Sequence, residues 1–280
     1  MAQKNEMVRR QEALPQSFER SSVLLKGLQK TTLIDYPGKV ACVVFMAGCN
    51  FRCPYCHNPE LVEGSWPVER REANGTLEAG GAGKPSIPEV VPEVLEESAF
   101  FDFLDKRKKW LDAVVICGGE PTIQNSLYGF AEKIKQRGFL VKLDTNGTNP
   151  EMLKKLIDGR LIDFIAMDIK APECKYGDAA AVPAATGNIS KSIALIKEAG
   201  TKGVVDYEFR TTVVPGITED GDVEAIAKWL SGAKKYVIQQ FKNSTVLDPS
   251  LRQRKPFSPD QLNEFREAAQ RYLPLVEVRQ

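Results

Sequence analysis

Three cysteines fall within eight residues, in Gly48-Cys49-Asn50-Phe51-Arg52-Cys53-Pro54-Tyr55-Cys56-His57-Asn58-Pro59, at C-x3-C-x2-C spacing. Three thiolates on so tight a loop can converge on a metal centre, and soft sulfur ligands select zinc or an iron–sulfur cluster. A structural zinc site needs a closed set of four ligands. The remaining cysteines, Cys42, Cys117 and Cys174, form no second C-x2-C pair to supply the fourth. His57 is the only histidine and is adjacent to Cys56, and consecutive residues seldom both turn onto one metal. A 4Fe–4S cube held by three cysteines keeps one iron open, and an open metal position points to chemistry rather than scaffolding. A single histidine also excludes His-rich zinc enzymes and facial-triad iron oxygenases.

Positioning such a loop requires a framework, and the sequence supplies one. Short apolar, β-branched runs recur at Val40–Phe45, Ala113–Ile116, Phe139–Leu143, Asp163–Met167, Val204–Val214 and Tyr236–Ile238. Helical patterns separate them. Asn149-Pro150 opens one helix and Gly159 closes it, Ile189–Ala199 ends at Gly200, and Ser258-Pro259-Asp260-Gln261 is a capping box before Leu262–Leu273. With no hairpin signal between strands, this alternation predicts an α/β fold with parallel strands, either a barrel or a doubly wound sheet. Polar residues gather where the apolar runs end: Gly48-Cys49, Gly118-Gly119-Glu120, Asp144-Thr145-Asn146-Gly147, Asp168-Ile169-Lys170 and Gln239-Gln240, with Arg210 inside the fifth run. In a parallel barrel those ends open on one face, where such folds place their chemistry.

Composition sets the outer limits. The chain has 280 residues, 42% of them apolar, with 38 basic against 37 acidic side chains. A core is affordable, and the near-zero net charge gives no electrostatic footprint for nucleic acid. The polar start resembles no signal peptide and no run is long enough to span a bilayer, so a cytoplasmic protein without membrane contact is expected. Cysteines in that compartment serve metals or catalysis more than disulfides. Residues 1–22 read as a mobile tail and 23–280 as one domain, interrupted by a flexible, glycine-rich insertion at about 64–86.

The C-x3-C-x2-C loop, with an aromatic residue before its last cysteine, resembles the radical S-adenosylmethionine (SAM) superfamily. Gly118-Gly119-Glu120-Pro121 is similar to that superfamily's methionine-binding motif. Cys56-His57-Asn58-Pro59, Asp144-Thr145-Asn146-Gly147, Asp168-Ile169-Lys170 and Val213-Val214-Pro215-Gly216 resemble the activating enzymes of glycyl-radical proteins. The segment Gly27–Gly38 looks most like activators of the anaerobic ribonucleoside-triphosphate reductase. The likeness runs from Leu25 to Leu273 apart from the insertion, and it implies an open, partial (β/α)6 barrel.

The resemblance implies that Cys49, Cys53 and Cys56 hold one 4Fe–4S cluster whose open iron chelates SAM. One electron then cleaves SAM to methionine and a 5′-deoxyadenosyl radical, which takes a hydrogen atom from a glycine of the partner enzyme. It implies that Gly118 and Gly119 let the backbone approach the methionine moiety, that Glu120 accepts from its ammonium group and that Lys170 neutralises its carboxylate. Asp144, Thr145 and Asp168 align with a monovalent-cation site. Two carboxylates at neighbouring strand ends would otherwise repel, so a cation or Lys170 between them is physically sensible. Arg210 is a candidate for the ribose or a carboxylate, or for a strand-flanking ion pair. Tyr55 would set its backbone near the adenine with its ring free to join the core. His57 is a hydrogen-bonding neighbour of the ligands rather than a ligand or base. Asn146 and Gln239 complete the candidate pocket. Cys42 and Cys117 read as packing thiols, and no side chain beyond the cluster and SAM pocket is assigned a catalytic role.

Some glycyl-radical activators carry a cysteine-rich, ferredoxin-like insertion, whereas the segment at 64–86 has no cysteine. A single cluster reduced by an external flavodoxin or ferredoxin is therefore expected. Two other readings stand beside the activase: a superfamily enzyme acting on a small molecule, like the deazapurine-forming synthase, and a non-catalytic zinc or iron–sulfur module.

Overall fold

The computed structural model describes residues 22–63, 95–183 and 185–280. The tail expected over 1–22 lies outside them except for Ser22, and the insertion expected at about 64–86 lies outside them entirely. Eight strands form one sheet in strictly sequential order. They are β1 (Leu25–Thr32), β2 (Ala41–Met46), β3 (Ala113–Gly118), β4 (Leu140–Thr145), β5 (Phe164–Asp168), β6 (Asp206–Val213), β7 (Tyr236–Gln240) and β8 (Val276–Arg279). Every pair from β2 to β8 is parallel. The six expected strands correspond to β2–β7, which form the parallel α/β half-barrel.

The sheet is longer than expected at both edges. β1, which the sequence reading did not include, pairs antiparallel with β2 and opens the fold ahead of the parallel strands. Its sequence, LKGLQKTT, carries few apolar residues although half of the strand is buried, with only Lys30 and Thr31 exposed. β8 has only four residues, VEVR, too short for a periodic signal.

Helices α1 (Pro59–Glu63), α2 (Glu97–Arg107), α3 (Leu127–Gln136), α4 (Pro150–Asp158), α5 (Tyr176–Ala180), α6 (Thr186–Thr201), α7 (Asp222–Trp229) and α8 (Pro259–Gln270) occupy the connections. α4 starts as expected: the Asn149 side chain accepts from the Met152 N–H, and Pro150 begins the first turn. α8 carries the complete capping box of Ser258 and Gln261. α6 differs, because Gly200 does not close it but lies inside it. A Cβ on Gly200 would stand 2.2 Å from the Tyr207 ring, so this glycine is required by packing rather than by a turn.

The two faces of the sheet bury different things. One face packs Cys42, Val44, Val114, Ile116, Val141, Leu143, Ile165 and Met167 against the helices. The inner face is lined at its lower levels by small residues, Ala41, Val43, Ala113, Val115 and Ala166. Tyr36, from the β1–β2 loop, packs its ring 5.7 Å from that of Phe164 and stops the lower end. Small side chains below and charged ones above leave the concave face free at the carboxyl ends of the strands.

Candidate cofactor site

The cysteine loop leaves β2 and is fixed by its backbone before any side chain is considered. Gly48 N–H donates to the Leu61 carbonyl, Arg52 N–H to Ala180, and Asp248 N–H to Pro54. The Arg52 guanidinium donates to the Cys49 and Phe51 carbonyls at 2.7 and 2.8 Å. Phe51 and Tyr55 are buried in the main core, with Phe51 edge-on to Tyr176. All three cysteines are free thiols, Cys53 buried and Cys49 and Cys56 partly so. Burial pushes all three pKa values up, Cys49 to about 11, and the Lys170 ammonium pulls against burial at each. Among the described residues Lys170 is the cation that opposes burial at all three cysteines.

The turn after β3 fits under this loop because it has no side chains. Gly118 has φ +132°, and a Cβ there would lie 2.3 Å from Met46 backbone atoms; a Cβ on Gly119 would lie 1.9 Å from the Gly48 carbonyl oxygen. Gly119 N–H donates to Met46 and Glu120 N–H to Gly48 at 2.9 and 2.8 Å. The close approach that the glycines permit is therefore first one between neighbouring strand ends.

Glu120 was expected to meet an ammonium group, but its carboxylate is turned inward, 1% exposed. It accepts from Thr122 N–H and Oγ1, Thr145 Oγ1 and Asn146 N–H. Burial raises its pKa and these donors oppose the rise. Asn146 in turn donates to Asn50 Oδ1 at 2.8 Å and accepts from Thr148, whose hydroxyl also accepts from the Asn50 amide. Glu120, Asn146 and Asn50 form a polar tie that fastens the ends of β2, β3 and β4.

Above the small residues of the inner face, charges alternate. Lys142 donates to Asp144 Oδ1 at 2.5 Å, Arg210 donates to Asp144 Oδ2 at 3.1 Å and to Asp168 Oδ1 at 2.8 Å, and Lys170 donates to Asp168 Oδ2 at 3.1 Å. Each carboxylate oxygen has its own cationic donor. Burial alone would raise both aspartates, but the facing cations outweigh it and hold them below the usual carboxylate range. Arg210 is therefore the bridge between the two carboxylates, a part that the sequence reading offered to a bound cation or to Lys170. On the far side Glu208, 1% exposed, takes a two-pronged contact from Arg279 at 2.7 and 2.6 Å.

The remaining candidates are placed as follows. Tyr55 is 3% exposed and its hydroxyl has no hydrogen-bond partner, so the ring does join the core. His57 sits at the rim with Nδ1 3.3 Å from the Thr245 carbonyl. Desolvation, with Lys170 and Lys242 nearby, lowers its pKa. Against a carbonyl oxygen, Nδ1 is the donor. Gln239 is in register with Thr212 of β6 and Arg279 of β8, on the face that carries Arg210. Cys42 is fully buried, whereas Cys117 is only partly so and sits on the inner face near Asp144, where burial raises it to about 12. Cys174 is exposed.

Among the described residues no three His, Cys, Asp or Glu side chains stand close enough for one metal ion. The donor set still fits a cluster that spreads its ligands over several irons: three thiols on a braced loop, one lysine facing all of them, and a side-chain-free turn beneath. Sequence reasoning passed over Lys142, Asn50, Thr122 and Glu208. A signal for Lys142 and Glu208 was present, since each shares a strand face with a residue already singled out, Asp144 and Arg210, two positions on.

Comparison with known proteins agrees with this chemistry. The Radical SAM superfamily profile matches residues 43–230. The chain is 33% identical over 257 residues to a putative glycyl-radical enzyme activating enzyme of Methanocaldococcus jannaschii, covering 91% of this chain and 95% of that protein. It is 30% identical to the 7-carboxy-7-deazaguanine synthase of Thermococcus kodakarensis, over 72% of this chain and 74% of the synthase. Among solved structures, Streptococcus suis SuiB bound to its precursor peptide SuiA superposes with a TM-score of 0.57 at 11% identity, covering 84% of this chain and 47% of that longer one. The cysteine loop, the Gly118-Gly119 turn and the charged strand ends thus belong to a member of the radical SAM superfamily, and this chain is an enzyme of that kind.

Proposed function

We propose that this enzyme installs a glycyl radical on a partner protein, and that the partner is an anaerobic ribonucleoside-triphosphate reductase. The observation that carries the activase reading is the relative from Methanocaldococcus jannaschii, matched over 95% of its length. The reductase rests on the likeness of Gly27–Gly38 alone. A cluster held by Cys49, Cys53 and Cys56 would supply the electron for reductive cleavage of SAM, the chemistry needed to take a hydrogen atom from the partner's glycine.

The residues then divide the work. Cys49, Cys53 and Cys56 hold the cluster, and Lys170 offsets their negative charge. The row sets Lys142, Arg210 and Lys170 against Asp144 and Asp168, and Lys170, at its end beside the cysteines, is the cation set to meet the methionine carboxylate. Glu120, Asn146 and Asn50 keep the strand ends at fixed spacing around the cofactor. Flavodoxin or ferredoxin serves as donor, and the reaction takes place in the cytoplasm. Among the described residues no helix is long and apolar enough to cross a membrane.

The test is anaerobic reconstitution with iron, sulfide, reductant, SAM and the reductase, followed by electron paramagnetic resonance. A glycyl doublet on the reductase is expected. SAM cleavage without that doublet, with the cluster intact, would remove the partner. The second reading, a deazapurine-forming synthase, draws on the relative from Thermococcus kodakarensis and predicts a small-molecule product in the absence of any partner protein.

A further inference from the structure

The likeness to glycyl-radical activators implies an alkali cation held by Asp144, Thr145 and Asp168, and the geometry disagrees. All four aspartate oxygens already accept from Lys142, Arg210 and Lys170. The Thr145 hydroxyl is tied down as well, donating its hydrogen to Glu120 at 2.7 Å and accepting from Gly147 N–H at 3.1 Å, which leaves it one lone pair. Lys142 is the member that closes the site. Its side chain is 3% exposed, with the Phe164 ring 6.0 Å from its ammonium and Asp144 at 2.5 Å. An alkali ion on Asp144 would have to displace that ammonium into a buried position without a partner, which is strongly unfavourable. Lys142 and Arg210 already balance the charges of Asp144 and Asp168, so a further cation has no unmet carboxylate charge to answer.

We propose that Lys142 is a built-in counter-ion that takes the place of an alkali cation at the Asp144–Asp168 pair, so that this enzyme binds and cleaves SAM without a monovalent metal. The ammonium and the alkali ion carry the same charge, but the tethered one is present at any salt composition. Lys142 acts through Asp144 and Arg210 and is a positioning residue. The inference rests on the charge geometry and is independent of which partner is activated.

The experiment uses the full chain without its cluster first. Sodium-23 relaxation is measured against sodium, with potassium or choline as competitor at constant ionic strength. Wild type is expected to show no saturable component. Lys142→Met, which leaves Asp144 short of a cation, is expected to acquire one that potassium displaces. Lys142→Met combined with Asp144→Asn removes both charges and should fold with none. In the reconstituted enzyme, wild-type SAM cleavage should change by less than about twofold between choline and potassium, while Lys142→Met should gain about tenfold from potassium, the size expected for one charged contact. A saturable, potassium-competed site in wild type would overturn the proposal, as would a folded Lys142→Met indifferent to alkali ions. If that variant fails to fold, the wild-type titration decides alone.

Discussion

Glu120 gives the sharpest test of whether its motif holds a ligand or holds the protein. Oε1 accepts from Thr122 N–H at 3.0 Å, Thr122 Oγ1 at 2.5 Å and Thr145 Oγ1 at 2.7 Å, and Oε2 accepts from Asn146 N–H at 2.6 Å. In Glu120→Gln the amide oxygen can still serve the threonine cluster, but the NH2 group then faces Asn146 N–H, donor against donor. Losing one charge-assisted bond costs about 1.5–3 kcal/mol, and a stranded buried N–H about 1–3 kcal/mol. Burying a neutral amide in place of a carboxylate returns part of that loss. A net destabilisation of about 2 kcal/mol is expected for Gln. Ala strands two backbone N–H groups and opens a cavity, so about 4 kcal/mol is expected, a large share of the 5–15 kcal/mol typical of a domain. Urea titration of the cluster-free protein under reducing conditions measures both values, and SAM affinity of the reconstituted variants is measured in parallel. A Glu120→Gln protein with a wild-type urea midpoint and weakened SAM binding would refute the reasoning, because the carboxylate would then be spending its bonds on the cofactor.

Asn50→Ala removes bonds to both Thr148 and Asn146, so a loss of about 1–2 kcal/mol and faster amide exchange at 146–148 are expected by hydrogen-exchange mass spectrometry. Alanine at Cys49, Cys53 or Cys56 should each abolish iron and sulfide incorporation, whereas Cys174→Ser should leave the iron content unchanged. Acid stability carries a definite sign. Asp144 and Asp168 have folded pKa values below their unfolded ones, so their contribution is full above the unfolded value near about pH 4 and is lost progressively as pH falls from there through the lowered values. Asp168→Asn should be less stable at neutral pH and lose less on acidification, a difference visible in urea midpoints measured from pH 7 down to about 3.

The central strands could be read from sequence because runs such as AVVICG are buried on both faces and leave a continuous apolar signal. The cysteine trio was legible for a similar reason: ligand spacing is a local property. What escaped were relations across strands. Nothing near Glu120 in the chain reveals that Thr145 and Asn146, on another strand end, will occupy its oxygens. Likewise, Arg210 announces a charge but not that two aspartates from β4 and β5 flank it. β1 and β8 were lost because LKGLQKTT, with its glycine, lysines and threonines, and a strand of only four residues both lack the apolar period that marks a strand.

The strictly sequential sheet leaves its outer strands unjoined, since β1 and β8 are the two ends of the order and not neighbours. In a closed barrel any widening must stretch or break a ladder of backbone bonds. Here the curvature can change while every ladder stays intact, much as a cupped hand opens without parting the fingers. The polar tie fixes β2, β3 and β4 to one another, and the Arg210 bonds to Asp144 and Asp168 carry that fixing on to β5 and β6. Because the order is open, bending at its ends would leave the cofactor end of β2–β4 at its spacing.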